Sequence, residues 1–260
     1  MAKDKRSKAA SSSIKQPSLL SLATRAAATN VTPAWPTFKP ELPATDLALE
    51  TVVPDKVVVF RSFFPRSLCR DYVSFLANLP LTTTPGKPKR GHAVRVNDRY
   101  QIDDATFADR LWSETGLKDA VLDPDLAHLW YLSLSTAGGE VIGLNPNIRI
   151  YRYLKGHFFD AHYDDSNNVT IKAAGSNDIV PAKTTWTLLL YLTSSADGCT
   201  GGETAFYPHE RRSAKEEIVV NPETGMLLLH KHGDDCMLHE GREVTAGEKW
   251  ILRTDLCVRK

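Results

Sequence analysis

Two histidines and one aspartate in the second half of the chain have the residue types of a metal site. His162 and Asp164 have a single residue between them, so on an extended strand both side chains point to the same face. A second histidine, His239, lies well downstream in the segment Leu238-His239-Glu240-Gly241. Two histidines and one carboxylate cover one face of an octahedral Fe(II) and leave three positions open. We therefore predict an iron site formed by His162, Asp164 and His239.

Three other histidines are alternative ligands. His230 ends an apolar run, His232 falls in the polar turn after it, and His157 lies upstream of the first pair. His239 is preferred because a basic residue, Lys249, follows it by ten residues on a predicted strand.

A cation at this spacing fits the chemistry of oxygen activation. An iron with three open positions needs an electron-donating co-substrate, and a 2-oxo acid occupies two positions and leaves the third for O2. The far carboxylate of 2-oxoglutarate would be buried, and a buried carboxylate needs a cation and hydrogen bonds. Lys249 supplies that charge in our prediction, with the hydroxyls of Tyr153 and Thr187 around it. Arg253, four residues further on, faces the same way, and periodicity does not choose between the two cations.

The elements that must position these residues are short strands. From Asn147 onward, strand-like segments alternate with short turns, a pattern typical of an antiparallel sandwich or jelly roll. The polar connection at residues 165–183 is the longest, and its length predicts a lid or substrate wall. The predicted strands are Ile148–Leu154, Phe158–Tyr163, Thr184–Thr193, Glu203–Tyr207, Ile218–Val220, Met226–His230, His239–Val244 and Trp250–Val258.

The first half of the chain is predicted to support this sheet. Residues 56–60 form a β-branched strand, and Pro65 opens a helix whose apolar residues recur at spacings of three and four. Further helices are predicted at Asp104–Thr115 and Pro124–Leu134. Residues 1–45, rich in Lys, Ser, Ala and Pro, are predicted to be a disordered tail and linker ahead of one domain over residues 46–260.

Composition argues against several classes of function. The 32 basic and 31 acidic residues give a net charge of +1, so no global charge favours nucleic acid or an anionic membrane. No apolar run reaches the roughly 18 residues of a spanning helix. The four cysteines form no CxxC pair, which favours reduced thiols of an intracellular protein.

The basic N-terminal segment has three interpretations. Residues 1–30 carry six basic side chains against one acidic side chain. A nuclear signal at Lys3–Lys8, a transit peptide and an untargeted tail all remain open. We expect a cytoplasmic or nuclear protein, because no apolar segment of a secretion signal follows the charges.

Three segments together resemble the Fe(II)/2-oxoglutarate-dependent dioxygenases of the prolyl 4-hydroxylase type. They are Asn147–Asp165, the stretch TTWTLLLYLT with the following GGETAFYP, and HEGREVTAGEKWILRTD, and the resemblance extends over residues 56–258. It implies an α+β, mostly β fold. In that fold a double-stranded β-helix (jelly roll) core over residues 145–258 is buttressed by N-terminal helices within residues 56–140.

The resemblance also implies roles for single residues. Lys249 matches the residue that pairs with the distal carboxylate of 2-oxoglutarate, and Tyr153 matches the tyrosine that donates a hydrogen bond to it. The GGET turn matches a structural element, so Glu203 receives no catalytic role. His162, Asp164 and His239 match the iron ligands, and Thr187 and Tyr191 match positions that line the co-substrate pocket.

The activity implied by the resemblance is hydroxylation of an unactivated C–H bond, in a protein prolyl residue or a small molecule. Fe(II) is the metal, O2 and 2-oxoglutarate are consumed, succinate and CO2 are released, and ascorbate is expected as a reductant. We expect a small-molecule or peptide substrate and no nucleic-acid or membrane partner. Arg99 could reach a substrate carboxylate, although ordinary surface salt bridges explain it equally well.

Two other functions fit parts of the sequence. A jelly roll can serve as a non-enzymatic metal-binding module, but the full ligand set together with Lys249 argues against it. Two histidines and one aspartate also suit a zinc-dependent hydrolase. That function gives Lys249 no role. Dependence on iron and 2-oxoglutarate separates the three functions.

Overall fold

The structure is a computed structural model that describes residues 32–39, 47–84, 91, 93–126, 139–172 and 178–260. The compact unit within it spans Thr32–Lys260. The predicted tail up to residue 31 lies outside the described residues, as does most of the helix predicted at Pro124–Leu134.

Strands dominate the described residues, and three short helices accompany them. No helix in this part of the chain is long and apolar enough to span a membrane. The helices are α1 (Arg66–Leu76), α2 (Ala105–Ser113) and α3 (Leu117–Val121). The strands are β1 (Leu49–Val53), β2 (Val57–Phe60), β3 (Thr82–Thr83), β4 (Arg95–Val96), β5 (Asp98–Asp103), β6 (Val141–Leu144), β7 (Asn147–Tyr153), β8 (Phe158–His162), β9 (Asn168–Lys172), β10 (Ile179–Tyr191), β11 (Thr200–Gly201), β12 (Thr204–Tyr207), β13 (Ile218–Val220), β14 (Leu227–Lys231), β15 (Leu238–Gly241), β16 (Val244–Ala246) and β17 (Lys249–Arg259).

Two antiparallel sheets form the framework. The larger, ten-stranded sheet has the order β1-β2-β14-β10-β17-β7-β5-β3, with β6 paired to β17 and β9 paired to β10. The five-stranded sheet has the order β13-β12-β15-β8-β4. Several neighbouring strands, such as β2 and β14 or β17 and β7, are distant in the chain, because the chain crosses repeatedly from one sheet to the other, as in a jelly roll. The predicted α+β, mostly β jelly roll with N-terminal helices is confirmed.

Alternation along β17 separates two hydrophobic cores. Trp250 and Leu252 belong to the core that the large sheet shares with the helices, whereas Ile251 belongs to the core between the two sheets. Leu68 of α1 and Leu111 of α2 pack in the first of these cores. The helices therefore cover the outer face of the large sheet, and the space between the sheets is left for a site.

Residues 32–39 belong to the folded unit and correct the predicted tail. Trp35 and Phe38 are buried. The Trp35 indole Nε1 donates to Asp104 Oδ2 at 2.7 Å, and its ring stacks on Phe107 with the centroids 4.2 Å apart. Asp104 also caps α2 by accepting from the Phe107 backbone N–H at 2.9 Å. The prolines around the two aromatic residues indicated a linker, but each aromatic ring fills a place in the core.

Several strands were not predicted, namely β1, β3, β4, β5, β6, β9 and β11. β9 pairs with the start of β10, from Asn168 opposite Lys183 to Lys172 opposite Ile179. Part of the connection predicted as a lid is therefore a hairpin, which its polar residues concealed because only Ile171 of β9 is buried. The segment predicted as helical support also contributes β2 and β5 to the large sheet.

We expect Trp35→Ala to lower the free energy of unfolding by about 3–5 kcal/mol, the usual cost of removing a buried tryptophan. The substitution removes the Phe107 contact and leaves the buried Asp104 carboxylate with one donor fewer. Urea denaturation of the full chain measures the change. Lys39→Ala, at an exposed position of the same segment, is the control and should stay within about 0.5 kcal/mol of the parent. Equal effects of the two substitutions would contradict the placement of Trp35.

Candidate active site

The small sheet brings two histidines into contact. His162, at the end of β8, lies directly opposite His239 of β15 in the antiparallel register. Their ring centroids are 4.3 Å apart, and Asp164 follows in the segment after β8. Ligand atoms of all three side chains lie within 4.8 Å of one another. The structure thus brings together the three residues predicted as metal ligands.

Hydrogen bonds determine which nitrogen of each histidine can meet a metal. His162 Nδ1 lies 2.8 Å from the Asp160 carbonyl oxygen, and His239 Nδ1 lies 2.9 Å from the Met237 carbonyl oxygen. A carbonyl oxygen only accepts, so each Nδ1 carries the hydrogen and each Nε2 keeps a lone pair for a metal. Burial lowers the pKa of both histidines, that of His162 to well below its usual value, which keeps the imidazoles neutral.

The Asp164 carboxylate receives two donors on one of its oxygens. Oδ2 accepts from the Thr187 hydroxyl at 2.9 Å and from the Arg253 guanidinium at 2.8 Å. The other oxygen, Oδ1, lies 3.7 Å from His162 Nε2. Burial raises the pKa of Asp164, but the Arg253 charge and the nearby histidines outweigh it and hold that pKa well below its usual range. The carboxylate is therefore ionised, and Oδ1 is the oxygen left for a metal.

His232 supports this carboxylate from behind. Its Nδ1 lies 3.1 Å from Thr187 Oγ1, and its Nε2 lies 3.0 Å from Thr184 Oγ1. The Thr187 hydroxyl donates to Asp164, so it accepts a hydrogen from His232 Nδ1. Nε2 of His232 then accepts from Thr184, whose oxygen accepts from the Asn167 backbone N–H at 2.8 Å. His232 therefore orients Thr187, and neither of its nitrogens is free to bind a metal.

His230 and Cys236 form a second candidate ligand set with His239, again with ligand atoms within 4.8 Å. His230 Nε2 is buried without a hydrogen-bond partner among the described residues and lies 3.6 Å from Asp164 Oδ2. The Cys236 sulfur, however, accepts from the Asp164 backbone N–H at 3.2 Å, and burial raises the pKa of its thiol to about 11. A protonated thiol is a poor ligand. The set of His162, Asp164 and His239 is therefore favoured.

A cavity opens between the two sheets beside these ligands. Lys249 and Arg253 of β17 both line it, so they share a face as their spacing predicted. Tyr151, Tyr153 and Phe159 form an aromatic part of the wall. The cavity therefore joins a metal-ligand set to two cations.

Lys249 is a buried cation without a carboxylate partner among the described residues. It lies opposite Tyr153 in the register of β17 and β7 and is 3% exposed. Its Nζ lies 5.6 Å from the Tyr153 ring centroid and 5.3 Å from that of Tyr191. The only acceptor that it contacts in this part of the chain is the Gly202 carbonyl oxygen. Burial lowers the pKa of Lys249 to about 8, as expected for an ammonium that lacks a counter-ion.

The Gly201-Gly202 pair gives Lys249 its place. Gly202 has a φ of +72°, and an added Cβ would lie 3.0 Å from Lys249 Cδ and 3.0 Å from Val244 Cγ2. A side chain at residue 202 would therefore displace the lysine stem. The turn predicted as purely structural also shapes the wall of the cavity.

Arg253 and Thr187 lie at the Asp164 carboxylate and not beside Lys249. Arg253 Nε is 3.8 Å from Asp255, so two carboxylates balance its charge. Thr187 is opposite Asp255 in the register, and Asp255 is six residues beyond Lys249 on β17, a separation of roughly 20 Å. The structure thus places the Thr187 hydroxyl at Asp164, and the predicted place of Thr187 around the distal carboxylate of 2-oxoglutarate stays a prediction.

Sequence reasoning missed several residues of this site, among them Tyr151, His232 and Arg95. Tyr151 is two residues before Tyr153 on the same strand, and that spacing predicts a shared face. His232 was considered only as a ligand. Arg95 lies on a strand of two residues that pairs with β8, so no local pattern indicates its place.

Residues 148–254 match the family model described as the 2OG-Fe(II) oxygenase superfamily. This segment contains the three candidate ligands and both cations of β17. No curated protein matches the chain in sequence.

Similar solved structures include several prolyl hydroxylases. The viral collagen prolyl hydroxylase of Paramecium bursaria Chlorella virus-1 is 16% identical, with 78% of this chain and 96% of that chain covered and a TM-score of 0.45. The Trichoplax adhaerens prolyl hydroxylase bound to a hypoxia inducible factor peptide is 15% identical, with coverages of 78% and 84% and a TM-score of 0.49. A Pseudomonas putida prolyl-4-hydroxylase is 18% identical, with coverages of 79% and 93% and a TM-score of 0.48. Likenesses at this level carry no argument about substrate.

We expect His162→Ala to weaken Co(II) binding by more than the roughly 10–100-fold that loss of an outer hydrogen-bond partner costs. The substitution removes one ligand of the favoured set and none of the His230–Cys236–His239 set. Calorimetric titration of the full chain with Co(II) measures the affinity.

Cys236→Ser is the matched control for the choice between the two ligand sets. It should change the Co(II) affinity little, and the parent protein should show no thiolate-to-cobalt charge-transfer absorption. A strong thiolate band, with His162→Ala harmless, would assign the metal to the other set.

Proposed function

We propose that this chain, a 2-oxoglutarate-dependent dioxygenase whose residues 148–254 match the 2OG-Fe(II) oxygenase superfamily, hydroxylates a C–H bond of its substrate with release of succinate and CO2. The family implies Fe(II), 2-oxoglutarate and O2. One observation carries the proposal: the buried ammonium of Lys249, which has no carboxylate partner among the described residues, lines the same cavity as His162, Asp164 and His239.

The donor set fits Fe(II). Two neutral imidazole nitrogens and one ionised carboxylate oxygen are the ligands of the facial triad, which leaves three positions open. Lys249 fits the distal carboxylate of 2-oxoglutarate. A buried ammonium and a buried carboxylate in contact neutralise each other, which offsets the cost of burying each charge. The mechanism of a zinc hydrolase gives the buried Lys249 ammonium no role.

Lys249, and not Arg253, is the cation that we assign to the co-substrate. Arg253 already donates to Asp164 Oδ2 at 2.8 Å and has Asp255 beside it, so its charge is balanced by the protein. Lys249 has only a neutral carbonyl oxygen as acceptor among the described residues. An incoming carboxylate therefore gains more from Lys249.

The loaded site would supply the oxidative chemistry, in which O2 converts 2-oxoglutarate to succinate and CO2 and one oxygen atom enters a C–H bond. The protein side chains bind and orient. Thr187 and Arg253 hold Asp164 Oδ2 and so keep Oδ1 directed towards the metal position. The Phe159 ring stacks on His162 at a centroid distance of 3.6 Å and limits rotation of that imidazole. Lys249 orients the co-substrate by its distal end.

The deciding test is anaerobic addition of Fe(II) and 2-oxoglutarate to the purified full chain. We expect the weak visible metal-to-ligand charge-transfer band of a chelated 2-oxo acid, followed by succinate after exposure to air. Ascorbate, expected as an external reductant, is added in a separate arm and should prolong turnover. A folded, metal-bound protein that gives neither band nor succinate would favour the binding-module or zinc alternative.

We expect Lys249→Ala to weaken 2-oxoglutarate binding at every pH, and Arg253→Ala to weaken metal binding instead. The first substitution removes the partner of the distal carboxylate, and the second releases Asp164 Oδ2. The charge-transfer band reports the 2-oxoglutarate affinity, and Co(II) titration reports the metal affinity. The opposite pattern would assign the distal carboxylate to Arg253.

The pH dependence provides the matched control for this assignment. The Lys249 pKa of about 8 means that the ammonium is present below pH 8 and is lost as the pH rises above it. The 2-oxoglutarate affinity should then fall by about tenfold per pH unit above that value. Lys249→Arg keeps its charge throughout and should abolish the fall. A parent protein with the same pH-independent affinity as this variant would contradict the role of Lys249.

A further inference from the structure

Four arginines surround one tyrosine at the rim of the cavity. Burial raises the pKa of Tyr151, but positive charge from Arg253, Arg149, Arg95 and Arg99 outweighs it and lowers that pKa. The geometry agrees with this charge. Arg99 is opposite Tyr151 in the register of β5 and β7, and Arg149 is opposite Arg253 in the register of β7 and β17.

Arg95 reaches the same place from the small sheet. It is opposite Phe159 in the register of β4 and β8. Its guanidinium carbon lies 4.9 Å from the Phe159 ring centroid and 5.6 Å from the Tyr151 ring centroid. Phe159 in turn stacks on His162, with the centroids 3.6 Å apart. One phenyl ring therefore separates the Arg95 charge from a candidate metal ligand.

Two of the four arginines have their charge balanced and two do not. Arg253 pairs with Asp164, and Arg149 pairs with Asp255. Among the described residues, neither Arg95 nor Arg99 has a carboxylate partner. Arg99 donates only to the Gln101 amide oxygen, and Arg95 contacts only aromatic rings in this part of the chain. Both are partly exposed, so a solute can reach them.

The co-substrate does not account for these two charges. Lys249 is at the start of β17 opposite Tyr153, while Arg253 is four residues further along, a separation of roughly 13 Å. A five-carbon diacid that extends from the metal position to Lys249 points away from the arginine end of the cavity. The two partly exposed arginines are therefore left for a molecule other than the co-substrate.

We propose that Arg95 and Arg99 form a substrate subsite for an anionic group, so that the substrate of this enzyme carries a carboxylate or a phosphate near the C–H bond that is hydroxylated. This inference rests on the proposed function, which supplies the reaction. Arginine suits the role because its planar guanidinium pairs bidentately with carboxylate and phosphate oxygens. The aromatic rings beneath Arg95 hold it at the rim without consuming its hydrogen-bond donors.

The test uses the full chain loaded with Mn(II) and 2-oxoglutarate, with inorganic phosphate and acetate as probes. Mn(II) takes the place of Fe(II), so no turnover occurs and binding alone is measured. A probe bound at the rim lies close enough to the paramagnetic ion for broadening of its ³¹P or methyl ¹H resonance. We expect saturable broadening of the resonance of at least one anion. The anion that binds more tightly indicates whether the substrate carries a phosphate or a carboxylate.

The variants Arg95→Gln, Arg99→Gln and their combination test the residues. Each single substitution should lower the affinity for the preferred anion roughly tenfold, equivalent to about 1.4 kcal/mol. Arg70→Gln is the matched control, because Arg70 is an exposed arginine of α1. It should leave anion binding unchanged. Circular dichroism and thermal unfolding confirm that each variant is folded.

Three outcomes would overturn the proposal. In the first, neither anion binds the loaded protein. In the second, the double variant binds the anions as tightly as the parent does, which would place the anion on the metal itself. In the third, the affinity for 2-oxoglutarate, followed by its anaerobic charge-transfer band with Fe(II), falls in parallel with anion affinity, which would place the arginines in the co-substrate pocket. Failure of the proposed function is a different result, because no charge-transfer band would form in the parent.

Discussion

The candidate active site depends on one oxygen atom, Oδ2 of Asp164. It accepts from Thr187 of β10 and Arg253 of β17 in the large sheet, while Oδ1 of the same carboxylate lies beside His162 of the small sheet. Burying this aspartate alone would be costly, and the Arg253 charge makes its ionised state stable. The carboxylate thus connects the two sheets and also defines one edge of the metal position. His232, which orients Thr187, extends the same network to the segment after β14.

Positive charge in the cavity is balanced by protein carboxylates in some places and left without a carboxylate partner in others. At the Lys249 end a single ammonium is held among the Tyr153 and Tyr191 rings, with no protein carboxylate to neutralise it among the described residues. In the centre, Asp164 and Arg253 balance each other. At the rim, Arg95 and Arg99 have no carboxylate partner in the part of the chain that the structure describes. This arrangement suits a site that must attract two anionic molecules and keep them apart.

The sequence predicted the ligand set because its chemistry is concentrated in short motifs. His162 and Asp164 are two residues apart, and the ten residues from His239 to Lys249 lead from β15 of the small sheet through β16 to the start of β17 in the large sheet. The position of Thr187 could not be predicted, because it depends on how β10 and β17 are aligned along their lengths. The position of Arg95 could not be predicted either, because Arg95 lies on a two-residue strand whose partner strand is far along the chain. The burial of Trp35 was not predicted, because the prolines around it indicated a linker, although its ring packs in the core.

The close contact between Gly202 and Lys249 has a consequence for which oxo acids the cavity can accept. The Lys249 Nζ contacts the Gly202 carbonyl oxygen, and the lack of a side chain at residue 202 leaves the room that the lysine stem occupies. The distance from the ammonium to the metal position would then set the length of the carbon chain that fits between the keto group and the far carboxylate. A diacid shorter by one methylene would leave either the metal or the ammonium out of reach, and a longer one would have to buckle. Selectivity for the chain length of the oxo acid would thus depend on Gly202, a residue that contacts neither end of the oxo acid.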